Sequence, residues 1–222
     1  MEFFINMDNL RIEKKFVFGK YKEDFIEKIL LINGFTKLFL PRKINSIYLD
    51  TQNFDFAKDN INGISKRKKI RFRWYNDDLN NVFLEEKNKQ NFQVHKKVYR
   101  VPISINEDSI VKNLKKYLHD TKNKISNYNY KFVLKTNYKR SYWISNDKQI
   151  RATVDTNIKV SSINKLNNFF DLNETILEFK FSPNNENFFR NYFFKKNFNL
   201  RSKKFSKYIQ SFNLLEESGL IF

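Results

Sequence analysis

Residues 66–75 read KRKKIRFRWY, and from Arg67 onward every second side chain is a cation (Arg67, Lys69, Arg71, Arg73) while Ile70, Phe72 and Trp74 fill the gaps. Side chains on a β-strand alternate between faces, so this stretch has one apolar and one strongly cationic face. An ordinary half-buried strand turns its charges to water. Here the pattern recurs in other strands with carboxylates mixed in, and few folds can accommodate that. Strand-like alternation covers 11–18, 45–50, 67–75, 82–87, 151–156 and 174–181, with further strands near 97–103 and 138–144. Helical spacing marks 22–32, stopped by Gly34, and then 107–118, 185–195 and 203–213, whose apolar stripes read as core packing. The polar stretches 76–81 and 145–149 read as hairpin connections. This order predicts one antiparallel α+β domain over residues 1–222.

Sorting the strands by parity sharpens the expectation. Residues 174–181 place Glu174, Ile176, Glu178 and Lys180 against Thr175, Leu177, Phe179 and Phe181. Arg11, Glu13 and Lys15 share a face, as do Phe83, Glu85 and Lys87, then Tyr138, Arg140 and Tyr142, then Arg151, Thr153 and Asp155. If these strands belong to one sheet that curls on itself, the apolar faces pack on helices and the charged faces line a polar, cationic lumen. Cations crowded at low dielectric repel, so such a lumen requires interleaved carboxylates, water and an anionic ligand. A solvated face carrying surface ion pairs is the plainer arrangement, each pair contributing little. The repetition over several strands and the preference for Arg, whose fork matches phosphate oxygens, favour the lumen.

Composition narrows the partner. A formal net charge of +18 calls for an acidic one, whether nucleic acid, an anionic membrane or a phosphorylated molecule. The absence of Cys removes disulfides and thiolate metal sites, and His95 and His119 stand at no ligand spacing. No apolar run reaches the roughly 18 residues of a membrane span, and MEFFINMDNLRIEKK lacks the order of a signal peptide, so a cytoplasmic location is expected. Single-stranded nucleic acid stacks on aromatics beside the cations, whereas Phe72 and Trp74 lie opposite Arg71 and Arg73, which counts against nucleic acid. The lysines of 112–124 are expected on a solvated helix face.

In order along the chain, NSIYLDT (45–51), RFRWY (71–75), FLEEK (83–87), YKR (138–140), RATVDT (151–156), ILEFKF (176–181) and KKFSKYI (203–209) resemble the catalytic domain of the vacuolar transporter chaperone (VTC) polyphosphate polymerases, a branch of the triphosphate tunnel metalloenzymes. The resemblance implies an eight-stranded antiparallel β-tunnel with flanking helices, whose cations grip triphosphate or polyphosphate while carboxylates hold Mn²⁺ or Mg²⁺. It implies transfer of the ATP γ-phosphate to a growing inorganic polyphosphate chain. Carried over by motif, the catalytic set is Lys15, Arg71, Arg73, Lys87, Arg140 and Lys207, with Arg67 and Lys204 as further phosphate ligands. Lys69, Arg151 and Lys180 join the phosphate-binding set from the charged faces of their strands. Glu178 matches the metal-binding acid, supported by Glu13 and by Glu85 or Asp155. The opening Arg11-x-Glu13-x-Lys15 departs from the Glu-x-Glu-x-Lys of the thiamine triphosphatase and adenylate cyclase branch, which favours the polymerase branch. A tripolyphosphatase or nucleoside triphosphatase of the same fold, or a non-catalytic polyphosphate-binding module, remain the alternatives. The inositol-phosphate-sensing domain and membrane spans of the eukaryotic complexes are not expected in this chain, which leaves a membrane partner protein open.

Overall fold

A computed structural model describes residues 11–91, 93–102, 109–120, 129–190 and 201–221. The elements run β1 (Ile12–Gly19), α1 (Glu23–Ile32), β2 (Phe35–Asp50), α2 (Asp55–Ile61), β3 (Arg67–Tyr75), β4 (Phe83–Gln90), β5 (Gln93–Arg100), α3 (Ile110–Asp120), β6 (Lys131–Ser145), β7 (Arg151–Ser162), β8 (Phe170–Leu172), β9 (Glu174–Phe181), α4 (Glu186–Phe189) and α5 (Lys207–Glu217). Eight strands join in the order β1-β9-β7-β6-β2-β3-β4-β5, and the short β8 adds to β7. Every pairing is antiparallel. The sheet curls into a tunnel-shaped half-barrel, bringing Lys87 of β4 within 3.8 Å of Glu13 on β1 although those strands stand near opposite ends of the order.

Apolar residues on alternate positions explain how the sheet is covered. On the convex side α3 packs through Ile110, Leu114 and Tyr117 against Ile47, Ile70, Phe72, Trp74 and Leu84. A second convex layer sets Ile26 and Leu30 of α1 and Phe189 of α4 on Phe16, Trp143, Val154, Leu177 and Phe179. On the concave side α5 fills part of the half-barrel, laying Tyr208, Ile209, Phe212 and Leu215 on Ile44, Tyr48, Leu134, Ile158, Val160 and Ile176. Each large apolar side chain buried this way contributes about 1.5–3 kcal/mol. The charged half of the concave face is therefore carried by a frame whose stability lies elsewhere.

The strands expected at 11–18, 67–75 and 174–181 and the helix expected at 22–32 lie within a residue of β1, β3, β9 and α1, whereas β5 starts four residues before 97, β6 seven before 138, and β7 runs six past 156. β2 starts ten residues before the expected 45–50 segment because register shifts between Lys37 and Phe39 and between Phe39 and Arg42 break the alternation. Pro41 falls in the second irregularity, where no ladder N–H is needed. α5 begins at Lys207 rather than 203, since the Ser206 hydroxyl accepts from the Ile209 N–H as its N-cap. Residues 203–206 run beside β1 instead, with Lys203 N donating to Lys15 O at 2.9 Å. Of the expected helix 185–195, Glu186–Phe189 is helical and Phe189 stacks on Phe181 at 4.5 Å, while Tyr192 and Phe193 lie outside the described residues. Gly34 takes φ +72 after α1, where an added Cβ would meet the Asn146 side chain at 3.1 Å.

Asp50 ties three elements together. Its fully buried carboxylate accepts from Thr51 N at 2.8 Å, Phe56 N at 2.9 Å, Ala57 N at 3.0 Å and the Tyr208 hydroxyl, joining the end of β2 to the start of α2 and to α5. Burial, and then the Asp50 charge, push the Tyr208 hydroxyl well above its ordinary value, so it stays a donor. Tyr208→Phe leaves that carboxylate one donor short, which is expected to lower stability by about 1–3 kcal/mol in urea unfolding. An unchanged midpoint would show that Asp50 does not anchor α5.

Candidate functional site

Strand register stacks the charged residues in rows across the concave face. Lys15 lies opposite Glu178, Glu178 opposite Thr153, and Thr153 opposite Tyr142. Glu13 and Arg151 both flank Lys180, and Arg140 faces Asp155. On the other wing Tyr48 and Ser46 face Arg71 and Arg73, and Glu85 lies across from Arg71.

Three carboxylates organise these cations. Asp155, with no exposed surface, accepts Arg140 Nε at 2.6 Å and Nη2 at 2.7 Å, and also Lys207 Nζ. Glu85 accepts Arg71 Nε at 2.8 Å and Nη2 at 2.6 Å and Lys96 Nζ at 2.8 Å, with Arg73 Nη1 at 3.7 Å. Glu178 pairs with Lys180 at 2.9 Å and Lys15 at 3.7 Å. Burial alone would keep such carboxyls protonated, but the adjoining cations outweigh it and hold all three well below the usual carboxylate range. Tyrosines complete the arginine shells: Arg71 reaches Tyr48 Oη and Arg73 reaches Tyr138 Oη, each at 3.3 Å. Burial raises the Tyr138 phenol, but Arg140, Arg73 and Lys207 together draw it below its ordinary value.

Lys69 is the exception. Its ammonium donates to Ser206 Oγ at 2.8 Å and makes no ion pair among the described residues. Burial, followed by the repulsion of Lys15, Lys87, Arg71 and Arg67, lowers its pKa to about 7. Ser206 is also the N-cap of α5, so the positive end of that helix faces the same point. An anion placed there meets several under-compensated cations at once.

The concave face also offers oxygens to a divalent ion. Glu13 Oε1 and Glu178 Oε1 both approach Lys180 Nζ, at 3.8 Å and 2.9 Å, and the buried Thr153 hydroxyl beside Glu178 has no hydrogen-bond partner. Two carboxylates that share Lys180, one of them beside an orphaned hydroxyl, are hard donors of the kind that suit Mg²⁺ or Mn²⁺, which bind through one or two carboxylates and complete their shell with water and phosphate. Among the described residues no group of three or more His, Cys, Asp or Glu converges. Glu85 and Asp155 differ from Glu178 and Glu13 in that each holds an arginine through Nε and Nη2 at 2.6–2.8 Å and a lysine besides, whereas Glu178 and Glu13 meet lysines alone.

Of the residues singled out from sequence, Lys15, Lys69, Arg71, Arg73, Lys87, Arg140, Lys180, Lys207, Glu13, Glu85, Asp155 and Glu178 face the concave side together. Arg67 extends the row at the half-buried start of β3. Arg151 and Lys204 are exposed. The structure adds Lys96, Ser206, Ser46 and Tyr48. Lys96 lies in a strand expected further along the chain, and nothing local in KKFSKYI singles out Ser206.

Residues 11–216 match the VTC domain. The chain belongs to the VTC domain family. No curated protein matches this VTC domain in sequence. Among solved structures it is similar to a candidate adenylyl cyclase from Hippeastrum with a dominant triphosphatase activity, at TM-score 0.60 and 11% identity over 96% of this chain and 97% of that one. It is similar also to candidate adenylate cyclases from Vibrio parahaemolyticus (TM-score 0.54, 13% identity, 91% and 98% covered) and Bacillus halodurans (TM-score 0.54, 16% identity, 92% and 97% covered). At these identities the likeness is one of fold.

The depressed Lys69 makes anion binding depend on pH. Above about pH 7 the ammonium is increasingly neutral in the free fold, and a bound polyanion restores its charge, so binding takes up a proton and weakens as pH rises from 7 toward 10.5. The unfolded chain holds that proton more tightly than the free fold, so Lys69 lowers free-protein stability at pH 7 and ceases to do so as pH approaches 10.5. Calorimetry of tripolyphosphate binding at pH 8 in two buffers of different ionisation heat is expected to show proton uptake in the wild type and a much smaller one in Lys69→Arg. Equal uptake in both would assign the proton to another group.

Proposed function

We propose that this protein is a metal-dependent phosphotransferase that moves the γ-phosphate of ATP onto a growing inorganic polyphosphate chain along the concave face. The observation that carries the reading is the row of cations centred on Lys69 and continued by Arg67, Lys87 and Lys15. Among the described residues Lys69 and Arg67 make no ion pair, and Lys15 and Lys87 approach carboxylates only at 3.7 and 3.8 Å, so that the row offers more contacts than one triphosphate needs. A chain that stays bound while it grows can use them all. Membership of the VTC domain family supports the same reading.

Phosphoryl transfer requires donor, acceptor and neutralising charge to be held in line, and little covalent help. Asp155 and Glu85 each grip one edge of a guanidinium, through Nε and Nη2, which fixes how Arg140 and Arg71 face the lumen. The N–H groups outside that grip remain for phosphate oxygens. Lys15 is steadied by the Phe205 carbonyl at 3.1 Å and presents a compact charge next to Glu178. Glu178 and Glu13, with the Thr153 hydroxyl beside them, would hold the Mn²⁺ or Mg²⁺ that neutralises charge on the transferred group. Among the described residues no Ser–His pair enters the lumen and the chain has no Cys, so the reading is one of direct transfer. Fixed cations aimed at developing charge in a partly dehydrated site supply the rate enhancement.

Hydrolysis is the second reading, favoured by the dominant triphosphatase activity of the Hippeastrum protein that shares the fold. The acceptor decides between them. Purified protein with ATP and Mn²⁺ is expected to release ADP and give a ladder of inorganic polyphosphate on a gel, with short polyphosphate shortening any lag. Orthophosphate without polymer at any primer concentration would replace the polymerase by a triphosphatase. Glu178→Gln is expected to raise the Mn²⁺ needed for half-maximal rate by at least about tenfold, with a parallel loss of Mn²⁺ affinity in the tripolyphosphate complex. Unaltered metal dependence would move the ion away from Glu178.

A further inference from the structure

β2 outruns β3: Tyr75 pairs with Ile44, and the part of β2 before it is laddered to β6 alone. The two register shifts in this stretch turn Phe39 and Arg42 toward the face that carries the site, opposite Tyr142 and Arg140. Two arginines directly across a ladder repel. Arg140 is neutralised by Asp155, whereas Arg42 makes no ion pair among the described residues. Its guanidinium rests among three rings instead, 5.6 Å from Phe39 and 5.9 Å from each of Tyr75 and Tyr142. The Phe39 ring meets Tyr142 edge-on at 5.9 Å and is 52% exposed. An open aromatic ring and an uncompensated fork thus lie side by side at the rim.

The rim continues the row that holds the metal-fitting acid, since Phe39, Tyr142, Thr153, Glu178 and Lys15 face one another in sequence across five strands. Three inter-strand steps of about 4.8 Å put Phe39 about 15 Å from Glu178 along the sheet. An extended nucleoside triphosphate with its γ-phosphate beside Glu178 brings its base to that place.

We propose that Phe39, Tyr75 and Tyr142 around Arg42 form a nucleobase platform, by which the protein binds a nucleoside triphosphate in preference to bare inorganic triphosphate. The inference rests on the reading of the concave face as a phosphate track. The base stacks on the exposed face of Phe39, and the Arg42 fork takes the phosphate nearest the ribose, the two roles to which an aromatic ring and a planar guanidinium are suited. Stacking accepts any base, so the platform selects for a base rather than for adenine.

Calorimetric titration of ATP and of tripolyphosphate, each with Mn²⁺, into wild type, Phe39→Ala and Phe39→Trp tests this. Phe39→Ala is expected to weaken ATP about tenfold while tripolyphosphate stays within about twofold, and Phe39→Trp to restore ATP. Because Phe39 is half exposed, the melting temperature of the alanine variant is expected to match the wild type. Equal losses for both ligands would make the rim a shaping element of the tunnel and overturn the proposal. An ATP affinity untouched by Phe39→Ala would overturn it too, with the phosphate track left standing. Failure of the wild type to bind tripolyphosphate at all would remove the track and the platform together.

Discussion

Mutual repulsion among the cations of the concave face is the constraint that the rest of this structure answers. At low dielectric neighbouring positive charges cannot be packed without carboxylates between them. Asp155, Glu85 and Glu178 supply these, each fully or nearly buried and each touching at least two cations. Such pairs add little net stability, because desolvating both ions offsets most of their attraction, while breaking one leaves a buried charge exposed to the full penalty. Their contribution is geometric: they fix where each guanidinium edge points. Stability is carried instead by the aromatic and aliphatic layers on the convex side and by α5 within.

The compensation is incomplete in one region, and its position is informative. Lys69, with Lys15, Lys87, Arg71 and Arg67 around it, keeps its proton only weakly in the free protein. A fold stable on its own would have no reason to leave cations so placed. On the proposed reading a polyanion would offset this repulsion, and the N-terminus of α5 points the same way.

The division of faces was legible in KRKKIRFRWY because period-two alternation assigns side chains to sides without knowledge of the fold. The carboxylates were legible for the same reason, and the ordered motifs, through the family resemblance, implied an antiparallel sheet of eight strands, although not the order in which they join. Pair assignments were not: parity puts Glu85 and Glu178 on one face, and only register shows that Glu85 is surrounded by Arg71, Arg73 and Lys96 while Glu178 lies beside an orphaned Thr153. The bulged stretch 35–43 hid its strand character because two register shifts within a few residues destroy the alternation by which strands are read. Ser206 became a site residue through a contact 137 residues distant in sequence, which no local pattern encodes.

α5 carries a temporal consequence. It fills the concave side and delivers Ser206, Lys207 and the Phe205 carbonyl to partners as far back as Lys15, a separation of 190 residues. On the ribosome every strand of the sheet emerges before this segment does. For that interval the nascent domain is an open basic gutter floored by Ile44, Tyr48 and Ile176, and long-range contacts of this kind close slowly. On the proposed reading of this face as a phosphate track, a polyanion present during synthesis would meet the open gutter before α5 does.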